Sequence, residues 1–143
     1  MSRDASDIQN VVQLLYQAIS GPAGPRDWEL SASLFVPEGR MIVAHKHEDG
    51  SLELQPLSVD DYRRTRAPFF NANAFYECET YSDVQIIGNL AHVVSHYASR
   101  HSPDEAPFET GVNFIQLVRT QEGWKIVNTM WEAGQIAAQL ARG

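Results

Sequence analysis

The chain has a single cysteine, Cys78, so no disulfide can form within it and no cage of thiolates can hold zinc. Basic residues are scarce: 11 Lys+Arg stand against 18 Asp+Glu, a formal net charge of −7. A surface of that sign gives no general attraction to phosphate backbones or anionic headgroups, so neither nucleic acid nor a membrane is an expected partner. Long apolar runs are missing as well, and nothing approaches the roughly 20 residues of a transmembrane helix. The opening MSRDASDIQN has acidic residues and no apolar stretch of signal-peptide length, so a cytoplasmic protein is expected. What is present is 43% apolar and 20% charged residues over 143 positions, the make-up of one soluble domain with a sizeable core. A small molecule or another protein is the partner this composition points to.

The first half reads as helices and short strands. Ile8, Val11, Val12, Leu15 and Ile19 recur at spacings of three and four, which predicts a helix over 4–20, with Ser6 and Gln9 in the pattern of a capping box. The segment Gly21 to Pro25 (GPAGP) ends it. A short helix is predicted from Asp27 to Phe35, then a turn at Pro37-Glu38-Gly39 and a β-rich run from Arg40 to Lys46. The acidic tip HEDGS turns the chain into Leu52 to Leu54. Ser58 caps a third helix with Asp60 and Asp61 in its first turn, and Pro68 is expected to bend or end it.

After residue 73 come four long runs, roughly 74–87, 90–101, 108–120 and 123–133, separated by Gly88-Asn89, Ser102 to Pro107 and Gln121 to Gly123. Two of these breaks have hairpin length, so the neighbouring runs should pair antiparallel. Helices first and a meander of strands after them predict an α+β domain with the helices on one face of the sheet. Strand alternation then sorts the side chains. Val84, Ile86, Ala91, Val93, Ser95 and Tyr97 share the more apolar, helix-covered face, with Asn113, Ile115, Leu117, Trp124, Ile126, Asn128 and Met130. Cys78 is also expected to point inward, as a buried structural thiol. The outer face holds Val94, His96, Phe114, Gln116, Val118, Val127 and Trp131, an apolar patch that a monomer rarely leaves wet, which predicts a homodimer packed sheet to sheet.

The segments GPRDWELSASLF (24–35), SVDDYRRTRAPFF (58–70), GNLAHVVSHYASR (88–100), GVNFIQLVR (111–119) and GWKIVNTMWE (123–132), in that order, resemble the NTF2-like (SnoaL-like, cystatin-like α+β) superfamily, closest to its uncharacterised bacterial members. The resemblance covers nearly the whole chain as one domain, 1–143. It implies three N-terminal helices packed on a strongly curved antiparallel sheet, a cone with an apolar pocket. The superfamily includes isomerases, cyclases, dehydratases, transport adaptors and proteins without known activity, so the fold alone does not choose a function.

The pocket residues expected on this basis are Trp28, Phe35, Tyr62, Phe70, Cys78, Ser95, Tyr97, Asn113, Asn128 and Met130. Asn113 and Asn128 would form a polar floor, or a pair of buried amides satisfied by their neighbours. Tyr97 and Tyr62 offer hydroxyls to a developing oxyanion; their plainer role is aromatic packing. Trp28 caps the mouth or anchors its helix. The superfamily's enzymes work through a buried Asp or His base, whereas the inner faces of the last three strands carry no acid or imidazole before Glu132. A module binding a small, largely apolar molecule is therefore the first reading. An isomerase, cyclase or dehydratase acting on a cyclic or polyketide-like ketone is the second, with Glu132, Asp27 or, if the strand register is off by one, Glu77 as base. A non-catalytic protein-interaction subunit is the third. His45 and His47 share one side of a strand without an identifiable third ligand, so no metal is expected, nor any cofactor.

Overall fold

A computed structural model describes residues 2–133 of the chain, and the expected single domain of 1–143 extends beyond them. The element order is α1 (Arg3–Ala18), α2 (Trp28–Ser33), β1 (Phe35–Lys46), β2 (Leu52–Ser58), α3 (Val59–Ala72), β3 (Tyr76–Ile87), β4 (Leu90–Arg100), β5 (Glu109–Thr120) and β6 (Gly123–Glu132). The six strands form one curved, unclosed sheet in the order β2-β1-β6-β5-β4-β3. Hairpin partners run antiparallel, and Ile87 faces Leu90 across the Gly88-Asn89 turn as alternation requires. β1 and β6 are the exception, lying side by side and parallel. No hairpin joins those two strands, so local sequence carries no trace of their pairing.

The helices lie against the inner face. α1 buries Ile8, Val12, Leu15 and Tyr16 on one stripe. It begins earlier than its expected cap: Ser2, not Ser6, accepts from the Ala5 amide at 3.1 Å, and Ser6 sits inside the first turn. Asp4 pins that end to the sheet by a two-pronged bond with Arg119 (2.6 and 2.8 Å) and by accepting from the Trp124 indole at 3.2 Å. Bonding to Arg119 first, and to Trp124 second, lowers the Asp4 carboxyl to about 2. Between α1 and α2, Arg26 donates to the carbonyls of Ile19, Pro22, Gly21 and Gly24 at 2.7–3.0 Å, which holds the GPAGP segment in one shape.

α3 opens with the Ser58 cap, completed as a capping box by Asp61, and continues four residues past Pro68 to Ala72. The expected turn at Pro37-Glu38-Gly39 falls inside β1, where pairing with β6 slips between Phe35 and Arg40. Phe35 therefore starts a strand rather than ending a helix. The core gathers α1 residues with Met41, Val43, Val93, Ile115, Leu117, Trp124 and Ile126.

Two bulges decide which side chains reach the concave face. On β3, Glu79 pairs with Tyr97 and Tyr81 with His96, so Thr80 is an extra residue. On β6, Ile126 pairs with Leu117 and Asn128 with Gln116, so Val127 is extra. Because side chains alternate with period two, each bulge reverses the facing of everything on its far side.

Candidate functional site

The concave face carries a cavity of about 60 Å³ between α1, α2 and the middle of the sheet. Its apolar wall is Leu15, Ile19, Met41 and Trp131, and its polar wall is Tyr16, Ser31, Glu77, Tyr97, Asn113 and Thr129. Of the expected pocket residues, Tyr97 and Asn113 line it. The bulges account for the most consequential differences. Val127 turns Asn128 and Met130 away from the concave side and brings Thr129 (1% exposed) and Trp131 onto it. Trp131, expected on the outer face, is thus a cavity residue, while Met130 is 38% exposed. Thr80 does the same on β3: Cys78 is exposed, and Glu77 and Glu79 point inward.

The other expected pocket members stand behind or beside the cavity. Ser95 is buried in the hydrogen-bond chain described below. Tyr62 packs edge-on against Trp28 and Trp131, and Phe70 packs among Phe69, Phe75 and Trp28. Trp28 and Phe35 line a separate surface groove with Pro37 and Arg63. Glu132 is exposed at the end of β6, and Asp27 caps α2 by accepting from the Leu30 amide at 3.0 Å. His45 bonds Gln55 and His47 bonds Glu53, both across the β1–β2 pair. Among the described residues no group of three or more His, Cys, Asp or Glu is placed to hold a metal ion.

Glu77 is held from both sides. Its amide donates to Ser20 Oγ at 2.9 Å, which ties it to the end of α1, and Ser99 Oγ donates to its Oε2 at 2.8 Å. Burial raises its carboxyl to about 7; the Ser99 bond opposes the rise and the Glu109 carboxylate adds to it. Burial also raises the hydroxyl of Tyr97, with the negative charges of Glu77 and Glu109 acting in the same direction, so the phenol stays protonated and able to donate.

A second chain of bonds has a defined direction. Ser95 Oγ donates to Glu79 Oε2 at 2.5 Å, which uses its only proton; it therefore accepts from Tyr16 at 2.7 Å, and Tyr16 accepts from Asn113 Nδ2 at 3.0 Å. The Tyr16 proton is thus committed to Ser95 and is withheld from the cavity. The Tyr97 hydroxyl has no hydrogen-bond partner among the described residues, and Thr129 Oγ1 is buried without one. A buried polar atom in that state is ordinarily met by water or a ligand.

No family model matches this chain, and no curated protein matches it. Solved structures do match. A protein of unknown function with a cystatin-like fold from Nostoc punctiforme superposes with a TM-score of 0.72 at 12% identity, covering 94% of both chains. An NTF2-like protein from Cytophaga hutchinsonii gives 0.68 at 13% identity, covering 94% of this chain and all (100%) of the other. A candidate dehydratase of the NTF2-like family from Streptomyces avermitilis gives 0.59 at 16% identity, over 92% and 97% of the two chains. The chain has the NTF2-like, cystatin-like α+β fold. At these identities the likeness speaks for architecture, and function has to be argued from the cavity.

Proposed function

We propose that the cavity binds a small molecule and that Glu77 moves a proton on it, in the manner of an isomerase or dehydratase acting next to a carbonyl group. The observation that carries this reading is the Glu77 carboxyl on the cavity wall, raised to about 7 by burial. A base of that strength is half ionised near neutrality, where proton abstraction and return are both accessible. The Tyr97 hydroxyl supplies a donor for the negative charge that would form on the carbonyl oxygen. The sequence favours binding alone because the inner faces of the last three strands carry no acid before Glu132; Glu77 and Glu79, on β3, bring carboxyls to the concave face from the neighbouring strand and support the catalytic alternative. The name of the Streptomyces protein of similar fold is consistent with proton chemistry in such a cavity.

The test is deuterium exchange at the carbon beside the carbonyl of 2-butanone in heavy water, followed by proton NMR at about pH 8. The protein is expected to accelerate exchange over buffer, and Glu77→Gln to lose on the order of 100-fold or more of that acceleration. Exchange no faster than buffer, or a Glu77→Gln variant as fast as the parent, would sink the proposal.

A further inference from the structure

The cavity's lining chemistry says more about its ligand than its shape does. Among the described residues that line it there is no Arg, Lys or His, and its only ionisable acid is Glu77. A carboxylate or phosphate buried there would meet no counter-charge and would face Glu77, with Glu109 close enough to act on Glu77. An ammonium ion would find one counter-charge, Glu77 where that carboxyl is ionised, and would give up its water to a wall that includes Leu15, Ile19, Met41 and Trp131. Among the hydroxyls of the lining, Tyr16 is committed to Ser95 and accepts from the Asn113 amide, whereas Tyr97, Thr129 and Ser31 remain as donors to a ligand, with Thr129 Oγ1 buried without a partner.

Size narrows the class. A buried water takes about 10–15 Å³ of such space, so about 60 Å³ admits on the order of five non-hydrogen atoms. Anything larger enters by one end.

We infer that the ligand is a neutral carbonyl compound, or the carbonyl end of one, with its oxygen taken by the hydroxyls of Tyr97 and Thr129, and that carboxylic acids of the same shape are refused. This rests on reading the cavity as the binding site, and it deepens the proposed function by naming the substrate's charge and functional group.

Three molecules with five non-hydrogen atoms in nearly the same shape separate the alternatives: 2-butanone, propanoate and sec-butylammonium. Each is titrated at about pH 8 into nitrogen-15-labelled protein, and the Trp131 indole and Asn113 side-chain amide signals are followed. The ketone is expected to shift both with a dissociation constant in the millimolar range, and propanoate to need at least roughly tenfold more. Thr129→Val should weaken the ketone by roughly threefold to tenfold, the loss of one neutral hydrogen bond. Tyr97→Phe supplies the same comparison if Thr129→Val does not give a dispersed spectrum. Propanoate or the ammonium ion binding as tightly as the ketone would overturn the inference, as would a ketone that leaves both signals unmoved. A ketone that binds without exchanging its protons leaves the inference standing and removes the proton-transfer reading. Exchange catalysed on a ketone that propanoate readily displaces does the reverse.

Discussion

The Tyr97 ring lies across Gly111, its partner on β5, so closely that a Cβ at position 111 would overlap the phenol oxygen and the carbon that bears it. Glycine is present there because the tyrosine uses the space a side chain would fill. Gly111→Ala is expected to push Tyr97 off its position and to cost about 1–3 kcal/mol, the usual penalty of overpacking. Urea unfolding measures it, and Tyr97→Leu in the Gly111→Ala background should recover part of the loss. A change too small to measure would mean the ring gives way freely.

Glu77 makes stability depend on pH with a sign that can be stated in advance. Its folded carboxyl is raised from 4.5 to about 7, so below pH 4.5 it is protonated in both states and costs nothing extra. Between 4.5 and about 7 the unfolded chain has lost the proton while the folded chain still holds it, so stability falls as pH rises, and it levels off above 7. Glu77→Gln has no such loss. Its stability relative to the parent should rise by on the order of 3 kcal/mol between about pH 5 and pH 8, read from urea midpoints. Parallel curves for the two proteins would show that this carboxyl is not desolvated.

The chain from Asn113 through Tyr16 and Ser95 to Glu79 should behave as a unit. Ser95→Ala strands the buried Tyr16 proton and is expected to cost about 1–3 kcal/mol. Tyr16→Phe removes that proton, so the double variant should cost less than the two single changes added together. A double-mutant cycle should give a coupling of at least about 0.5 kcal/mol, and simple additivity would mean the bonds act separately.

The outer face of the sheet carries Tyr81 (64% exposed) stacked edge-on with His96, Phe114 (43%) beside His92, and Val127 and Met130. With Val94, Gln116 and Val118 alongside, we propose that it pairs with a second copy of the chain. Sizing chromatography is expected to show a particle of twice the 16.0 kDa chain, and Phe114→Glu to return it to monomer. An unaltered monomer at micromolar concentration for the parent protein would remove the pairing. Trp131 takes no part in that face, since it lines the cavity.

Much of the architecture was legible because it is written in local patterns. The α1 stripe follows from apolar spacing, the α3 start from Ser58 and its acids, and the last four strands from turn residues that interrupt long β-forming runs. The interior placement of Ser95, Tyr97 and Asn113 was legible for a related reason: β4 and the inner half of β5 run without a bulge between them, so alternation counted from the hairpin holds along their length.

The site itself was decided by two residues that local pattern does not mark. Counting straight through β3 and β6 puts Cys78, Asn128 and Met130 inside, and each of those assignments is wrong by one step past Thr80 or Val127. Glu77 and Glu79 are two apart and bond Ser99 and Ser95, which are four apart, so no common spacing in the sequence marks the pairs. Glu77 lies opposite Ser99, whereas Glu79 lies opposite Tyr97 and reaches Ser95 diagonally across the slip at Thr80. Composition, periodicity and turn chemistry thus determined the elements, their order and most of their faces, because these depend on neighbours in the chain. Which carboxyl and which hydroxyl reach the cavity was settled by strand register and by the β1–β6 pairing, which depend on contacts between residues far apart in sequence.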